Sequence, residues 1–146
     1  DPDNTKLSTS LLDYRDTWLI LFFYPMDFTF VCPTEITAFS DRAKDFSAIG
    51  AEVVGISIDS NFSHLAWVNT PRNKGGLGPM SIPLIGDISK EVSRAYGMVV
   101  EDASDDMHGV TLRGTVKGHD EYRGVQETVL TRCTISSTTP PAGPAA

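Results

Sequence analysis

The run WLILFFY, Trp18 to Tyr24, limits the fold more than any other stretch of this chain. It shows no alternation between apolar and polar positions, so it predicts a strand covered on both faces, as in a parallel or mixed sheet. After Cys32 the pattern changes. Pro33 suits a first helical turn, Glu35 favours its positive end, and Ile36, Phe39, Ala43 and Phe46 recur at helical spacing until Gly50 closes the helix. AEVVGISID, Ala51 to Asp59, returns to strand character. SHLAWVNT predicts a second helix ending before Pro71, and RNKGGLGPMSIP a Gly/Pro-rich loop. PLIGD reads as a short strand with its exit turn, and SKEVSRAYG as a helix stopped by Gly97. Strands alternating with helices predict an α/β sandwich.

A chain of 146 residues, 40% hydrophobic, can enclose one core. We expect one domain over residues 1–135 and a low-complexity, disordered tail, SSTTPPAGPAA, over 136–146. A formal charge of −7 without any Lys/Arg cluster argues against nucleic-acid and anionic-membrane partners. No apolar run has the length to cross a bilayer, and the opening DPDNTKLSTS is polar, unlike a secretory segment. These features predict a cytoplasmic chain, or a mitochondrial one after removal of a transit peptide. It begins at Asp1 without a methionine, as a fragment or processed form would. Cys32 and Cys133 form neither a disulfide framework nor a C-x-x-C or metal-ligand spacing, so they are expected to act as thiols. The sequon NFS at Asn61 to Ser63 has no other sign of secretion beside it, and EDASDD, Glu101 to Asp106, reads as a solvated loop.

The chemistry concentrates in FFYPMDFTFVCPTEI, Phe22 to Ile36. A thiol at a helix start meets unpaired backbone N–H groups and the positive end of the dipole, which favour its thiolate. Thr29 can bring a hydroxyl beside the sulfur through a tight turn, and Pro25 can shield the pocket, giving P-x-x-x-T-x-x-C. A thiolate attacking a peroxide needs donors that align the two oxygens and stabilise the one that leaves. Thr29 and an arginine suffice. A cysteine hydrolase would need a histidine and an orienting Asp or Asn. His64 sits within FSHLAW and His108 in a loop, and the sequence offers neither an orienter. A thioredoxin-like reductase would need a cysteine where Glu35 stands. Phe22, Phe23, Phe28, Phe30 and Trp67 read first as core aromatics and second as subunit contacts.

The segment FYPMDFTFVCPTE resembles the active-site segment of the typical two-cysteine peroxiredoxins, the thioredoxin-dependent peroxidases. DSNFSHLAWVNTPRNKGGLGPMSIPLIGD, YGMVVED and GVTLRG extend the resemblance over residues 11–114. It implies a thioredoxin-like α/β fold with a central mixed sheet flanked by helices. It also implies a peroxidase acting on hydrogen peroxide and small organic hydroperoxides, with thioredoxin as reductant and no metal or organic cofactor. By position, Cys32 is then the peroxidatic cysteine, Thr29 orients the peroxide, Pro25 shields the thiol and Arg113 stabilises its thiolate. Glu35 orients arginines, and the similarity of YRGVQETVL to the start of the family's last core helix makes Arg123 the second arginine, paired with Glu35. A homodimer, and a ring of dimers, follow from the same resemblance.

The chain also departs from the family. Between Gly114 and Arg123 the family has two further strands, which need on the order of a dozen residues, and here only TVKGHDEY follows Gly114. The sequence thus predicts a missing hairpin. The acidic loop is longer than in the family, which would displace Arg113. Pro140 occupies the place of the family's resolving cysteine. Cys133 is then either the resolving thiol, by elimination, or a small buried residue of the last helix. A non-enzymatic chaperone or interaction module is the alternative function, favoured if the lost hairpin leaves apolar surface open.

Overall fold

A computed structural model describes residues 11–28 and 32–118, with Cys32 defined through its backbone alone. After a 3-10 turn at Leu11–Tyr14, the elements follow in order. They are β1 (Trp18–Phe23), α1 (Cys32–Asp41), α2 (Ala43–Ala48), β2 (Ala51–Ser57), α3 (Asn61–Asn69), β3 (Leu84–Gly86), α4 (Glu91–Ala95) and β4 (Gly114–Gly118). The sheet runs β3-β2-β1-β4, with β1, β2 and β3 parallel and β4 antiparallel to β1. This is the mixed sheet that WLILFFY requires.

β1 feeds two cores by the twofold alternation of a strand. Phe22 and Tyr24 join Ile36, Val53, Trp67, Leu77 and Ile82 on one face. Leu19, Leu21 and Phe23 join Val54, Ile56, Met98 and Val116 on the other. Phe23, Tyr24, Ile36 and Trp67 are wholly buried, and burying an apolar side chain of this size is worth roughly 1.5–3 kcal/mol. The first helix predicted from the sequence is two helices. Arg42 leaves helical geometry at φ −100° and ψ 10°, yet Phe39, Ala43 and Phe46 pack against the first core across the break.

The hairpin expectation needs revision. GTVKG forms β4 and pairs with β1 along nearly its full length, from Leu19 opposite Gly118 to Phe23 opposite Gly114. One strand of the expected pair is therefore present, although Thr115 and Val116 alone carry its strand propensity. The chain from residue 119, which includes Arg123, Cys133 and the predicted tail, lies outside the described residues. Among the described residues, no helix is long and apolar enough to cross a membrane.

Where β1 ends, a buried polar cluster joins its exit to α3. The Tyr24 hydroxyl donates to Asp27 Oδ1 at 2.8 Å, and His64 Nδ1 lies 2.7 Å from Asp27 Oδ2. His64 Nε2 reaches the Ile85 carbonyl at 3.0 Å, so with both nitrogens against acceptors the ring is suited to carry two protons. Burial, the largest influence, lowers the His64 pKa, but the hydrogen bond and charge of Asp27 with the Ile85 carbonyl outweigh it and raise the value overall. A raised folded pKa favours the imidazolium in the native state. The stability it contributes is complete below the unfolded value of about 6.5 and is lost as pH rises through the folded value. We expect the gap in urea midpoint between the parent and His64→Gln to be widest in mild acid and to shrink with rising pH. A gap independent of pH would show that His64 contributes packing only.

Candidate active site

Parallel strands that end at one edge of a sheet bring their following loops together, and ligand sites in open α/β sheets form there. In this chain β1 leads through Pro25, Met26, Asp27 and Phe28 toward Cys32, while β2 leads through Asp59 and Ser60 into α3. Cys32 is the first residue of α1. Its backbone therefore occupies the helix start where an anion is stabilised, as the Cys-Pro-Thr-Glu pattern predicts. Pro33 opens the helix, and the Thr37 hydroxyl donates to its carbonyl at 2.7 Å.

Glu35, in the first turn of α1, pairs through Oε2 with Nη1 of Arg113. The two side chains are 28% and 15% exposed, so the guanidinium is held in a partly dry setting where its charge acts more strongly than in water. The position of Arg113 follows from the topology. β4 runs antiparallel to β1, so the residue just ahead of Gly114 lies at the end of β1, the same end from which the chain departs toward Cys32. With the acidic loop in place, Arg113 is held against Glu35. Val99 and Thr111 form a bridge, and Gly109 N–H donates to the Val100 carbonyl at 2.8 Å, so the loop is closed at its base. Residues 101–108 project into solvent as predicted.

Beside the ion pair lies a groove of about 650 Å³ with Phe22, Phe39 and Phe46 in its lining and Glu35, Arg42 and Arg113 among its polar groups. Its aromatic lining suits packing by another segment better than capture of a small polar molecule.

Of the residues singled out from sequence, Pro25 is half-buried directly after Tyr24, and Glu35 and Arg113 are joined. Thr29 and Phe30, like Arg123 and Cys133, lie outside the described residues. Phe22, Phe23 and Trp67 belong to the core, whereas Phe28 does not. Phe28 is 55% exposed, its backbone is left-handed at φ 59°, and its ring tilts over Trp67 at 5.7 Å. A turn, rather than strand spacing, decides where it points.

His64 also needs correction. The sequence offers it no acidic orienter, but Asp27 holds it from the β1 exit. Asp27 and Asp59, and the partner Asp27 gives His64, are what pattern reasoning missed. The available signal was Asp27 itself, a carboxylate between Met26 and Phe28 in an otherwise apolar stretch, which must find donors if buried. The pairing leaves the hydrolase reading no stronger, because His64 Nε2 is occupied by the Ile85 carbonyl. Tyr24 is equally committed. Burial and then the charge of Asp27 hold its phenol well above the ordinary range, so it serves as a donor and not as a base. His108 is exposed in the acidic loop.

Comparison with known proteins bears on this arrangement. The AhpC/TSA family model matches residues 2–117. Rat peroxiredoxin-2 is 57% identical over 112 residues, which cover 77% of this chain and 54% of the relative. The mouse mitochondrial thioredoxin-dependent peroxide reductase is 58% identical over 105 residues, covering 72% of this chain and 39% of that protein. The chain thus spans about half or less of the length of these curated relatives. Among solved structures, Plasmodium yoelii thioredoxin peroxidase I superposes with a TM-score of 0.71 at 41% identity, over 80% of this chain and 64% of that one. The reduced 2-Cys peroxiredoxin of Plasmodium vivax gives a TM-score of 0.67 at 39% identity, over 73% and 53% respectively. With a parallel β1-β2-β3 core, a cysteine opening α1 and a Glu35–Arg113 pair beside it, the chain belongs to the AhpC/TSA family, among the 2-Cys peroxiredoxins.

Proposed function

We propose that this chain is a thiol peroxidase that reduces hydrogen peroxide and small organic hydroperoxides through Cys32, with thioredoxin as the final reductant. The observation that carries this reading is the start of α1 at Cys32, with Glu35 of its first turn paired to Arg113 from the entry to β4. Cys32 thiolate attacks the terminal oxygen of the hydroperoxide. An S–O bond forms as the O–O bond breaks, the sulfur loses two electrons to the peroxide, and the departing oxygen takes a proton to leave as water or alcohol. Thr29 and Arg113 align the oxygens and stabilise the developing charge, while Glu35 fixes the guanidinium and Pro25 shields the thiol. Arg123 serves as a second arginine. The sulfenic acid condenses with a thiol, releasing water, and a dithiol reductant of the thioredoxin type restores Cys32.

Cys133 is the internal candidate for the resolving thiol, and an external thiol takes that role if Cys133 cannot reach. The chemistry needs no metal or organic cofactor. A homodimer, assembled further into a ring, is the expected form. The relatives support this reading through the activities their names carry, peroxiredoxin and thioredoxin-dependent peroxide reductase. The mechanism is the same in cytoplasm or mitochondrion.

One observation favours a second reading, a non-enzymatic interaction module. The groove beside the ion pair is lined by Phe22, Phe39, Phe46 and Ile49, a contiguous apolar surface that another segment could cover.

Peptide mapping and turnover separate the readings, and stopped-flow oxidation tests the role of Arg113. Peptide mapping after one equivalent of hydrogen peroxide, with dimedone in a parallel sample, should find Cys32 modified first, as the adduct or as a disulfide to Cys133. Cys32→Ser should abolish turnover, and two thiols that stay reduced would favour the interaction module. In stopped-flow oxidation, Arg113→Ala should slow the reaction with peroxide on the order of 100-fold, the cost of one lost charge-stabilising donor. Arg113→Lys should recover only part of that, because an ammonium does not reproduce the planar fork. An Arg113→Ala protein oxidised at the parent rate would remove Arg113 from the mechanism.

A further inference from the structure

The chain between Tyr24 and Cys32 leaves the sheet and must deliver a thiol to the start of α1, and the described part of that path is held by a residue from a different strand exit. Asp59 follows β2. Its Oδ2 accepts the backbone N–H of Asp27 at 2.9 Å and the Ser57 hydroxyl at 2.6 Å. Asp59 is itself well fixed. Its own N–H donates to Ser57 Oγ at 3.1 Å. Ser60 caps α3 by accepting the Ser63 N–H at 3.1 Å. Gly86 packs so closely that a Cβ there would stand 2.7 Å from the Asp59 carbonyl oxygen.

What Asp59 holds is a turn that a free chain would not keep. Phe28, next after Asp27, has φ 59°, a region disfavoured for a bulky residue and maintained only where the surroundings over-determine it. The hydrogen bond to Asp27 N–H fixes the Met26–Asp27 peptide, one residue ahead of the left-handed turn at Phe28. The side chain of Asp27 is bound separately, by Tyr24 and His64, so Asp59 constrains backbone whatever the state of the imidazole.

We propose that Asp59 is a positioning residue for Cys32, acting through the Asp27 backbone to hold the turn that sets the path into α1. The inference rests on the peroxidase reading. A hydrogen-bond acceptor is all the role requires, so Asp59→Asn, which keeps a side-chain carbonyl, should preserve it, while Asp59→Ala should not.

The test compares second-order rates of Cys32 with hydrogen peroxide and with iodoacetamide in the parent, Asp59→Ala, Asp59→Asn and Val54→Ala. Val54 is a buried residue of the opposite core, and its truncation controls for lost stability. Misplacing a reacting group costs the oriented reaction far more than an unoriented alkylation. We expect Asp59→Ala to react with peroxide about tenfold or more slowly while alkylation changes little. Asp59→Asn should stay close to the parent, and Val54→Ala should be less stable but equally reactive. If Asp59→Ala does not fold, Ser57→Ala loosens the same carboxylate and should slow peroxide oxidation several-fold with alkylation unchanged. The role is overturned if Asp59→Ala keeps the parent rate, if Val54→Ala loses as much, or if Asp59→Asn is as slow as alanine. Those outcomes leave the peroxidase reading standing. A parent whose Cys32 does not react with peroxide overturns that reading and the role of Asp59 with it.

Discussion

β1 is bonded on both edges and covered on both faces, with β2 and β4 beside it and a separate apolar cluster above and below. A strand so enclosed has one register available, because a slip of one residue would exchange Phe22 and Tyr24 for Leu21 and Phe23 in cores of different shape. Its far end is therefore a fixed point. The turn through Asp27, the start of α1 and the approach of Arg113 all take their positions from it. The candidate site is best described as the set of groups that converge where β1 stops.

How much of this the sequence discloses depends on the range of the interaction. WLILFFY, Pro33 with Glu35, and Gly50 each act over one element, so the buried strand, the helix start and the helix end are legible without a structure. Cys32 is legible for the same reason, since its place before Pro-Thr-Glu is a local signal. Arg113 is named only through resemblance. Its pairing with Glu35 spans most of the chain and depends on β4 being antiparallel. The pairing of Asp27 with His64 and the hold of Asp59 on the Asp27 backbone were not legible, because each polar group finds its partner in another element. The break at Arg42 belongs to the same class, since the apolar stripe runs on across it and conceals it.

The polar cluster at the strand exits constrains this end of the sheet in a way that apolar packing does not. A buried carboxylate left without donors would cost several kcal/mol. Asp27 receives the Tyr24 hydroxyl on one oxygen and the His64 imidazole on the other, at 1% side-chain exposure. Few arrangements satisfy all of these groups together. Apolar packing in the two cores supplies stability with some tolerance of shape, while the polar cluster removes that tolerance where the chain leaves β1.

The closed base of the acidic loop separates two demands on the same stretch of chain. Because the Val99–Thr111 bridge and the Gly109–Val100 hydrogen bond fix where the excursion begins and ends, the residues between contribute charge and bulk without altering the line along which Arg113 enters the sheet. A change in the length or composition of residues 101–108 would leave the base of the loop, and with it the position of Arg113, where they are. The surface of the loop and the Glu35–Arg113 pair are therefore structurally uncoupled, although only a short stretch of chain separates them.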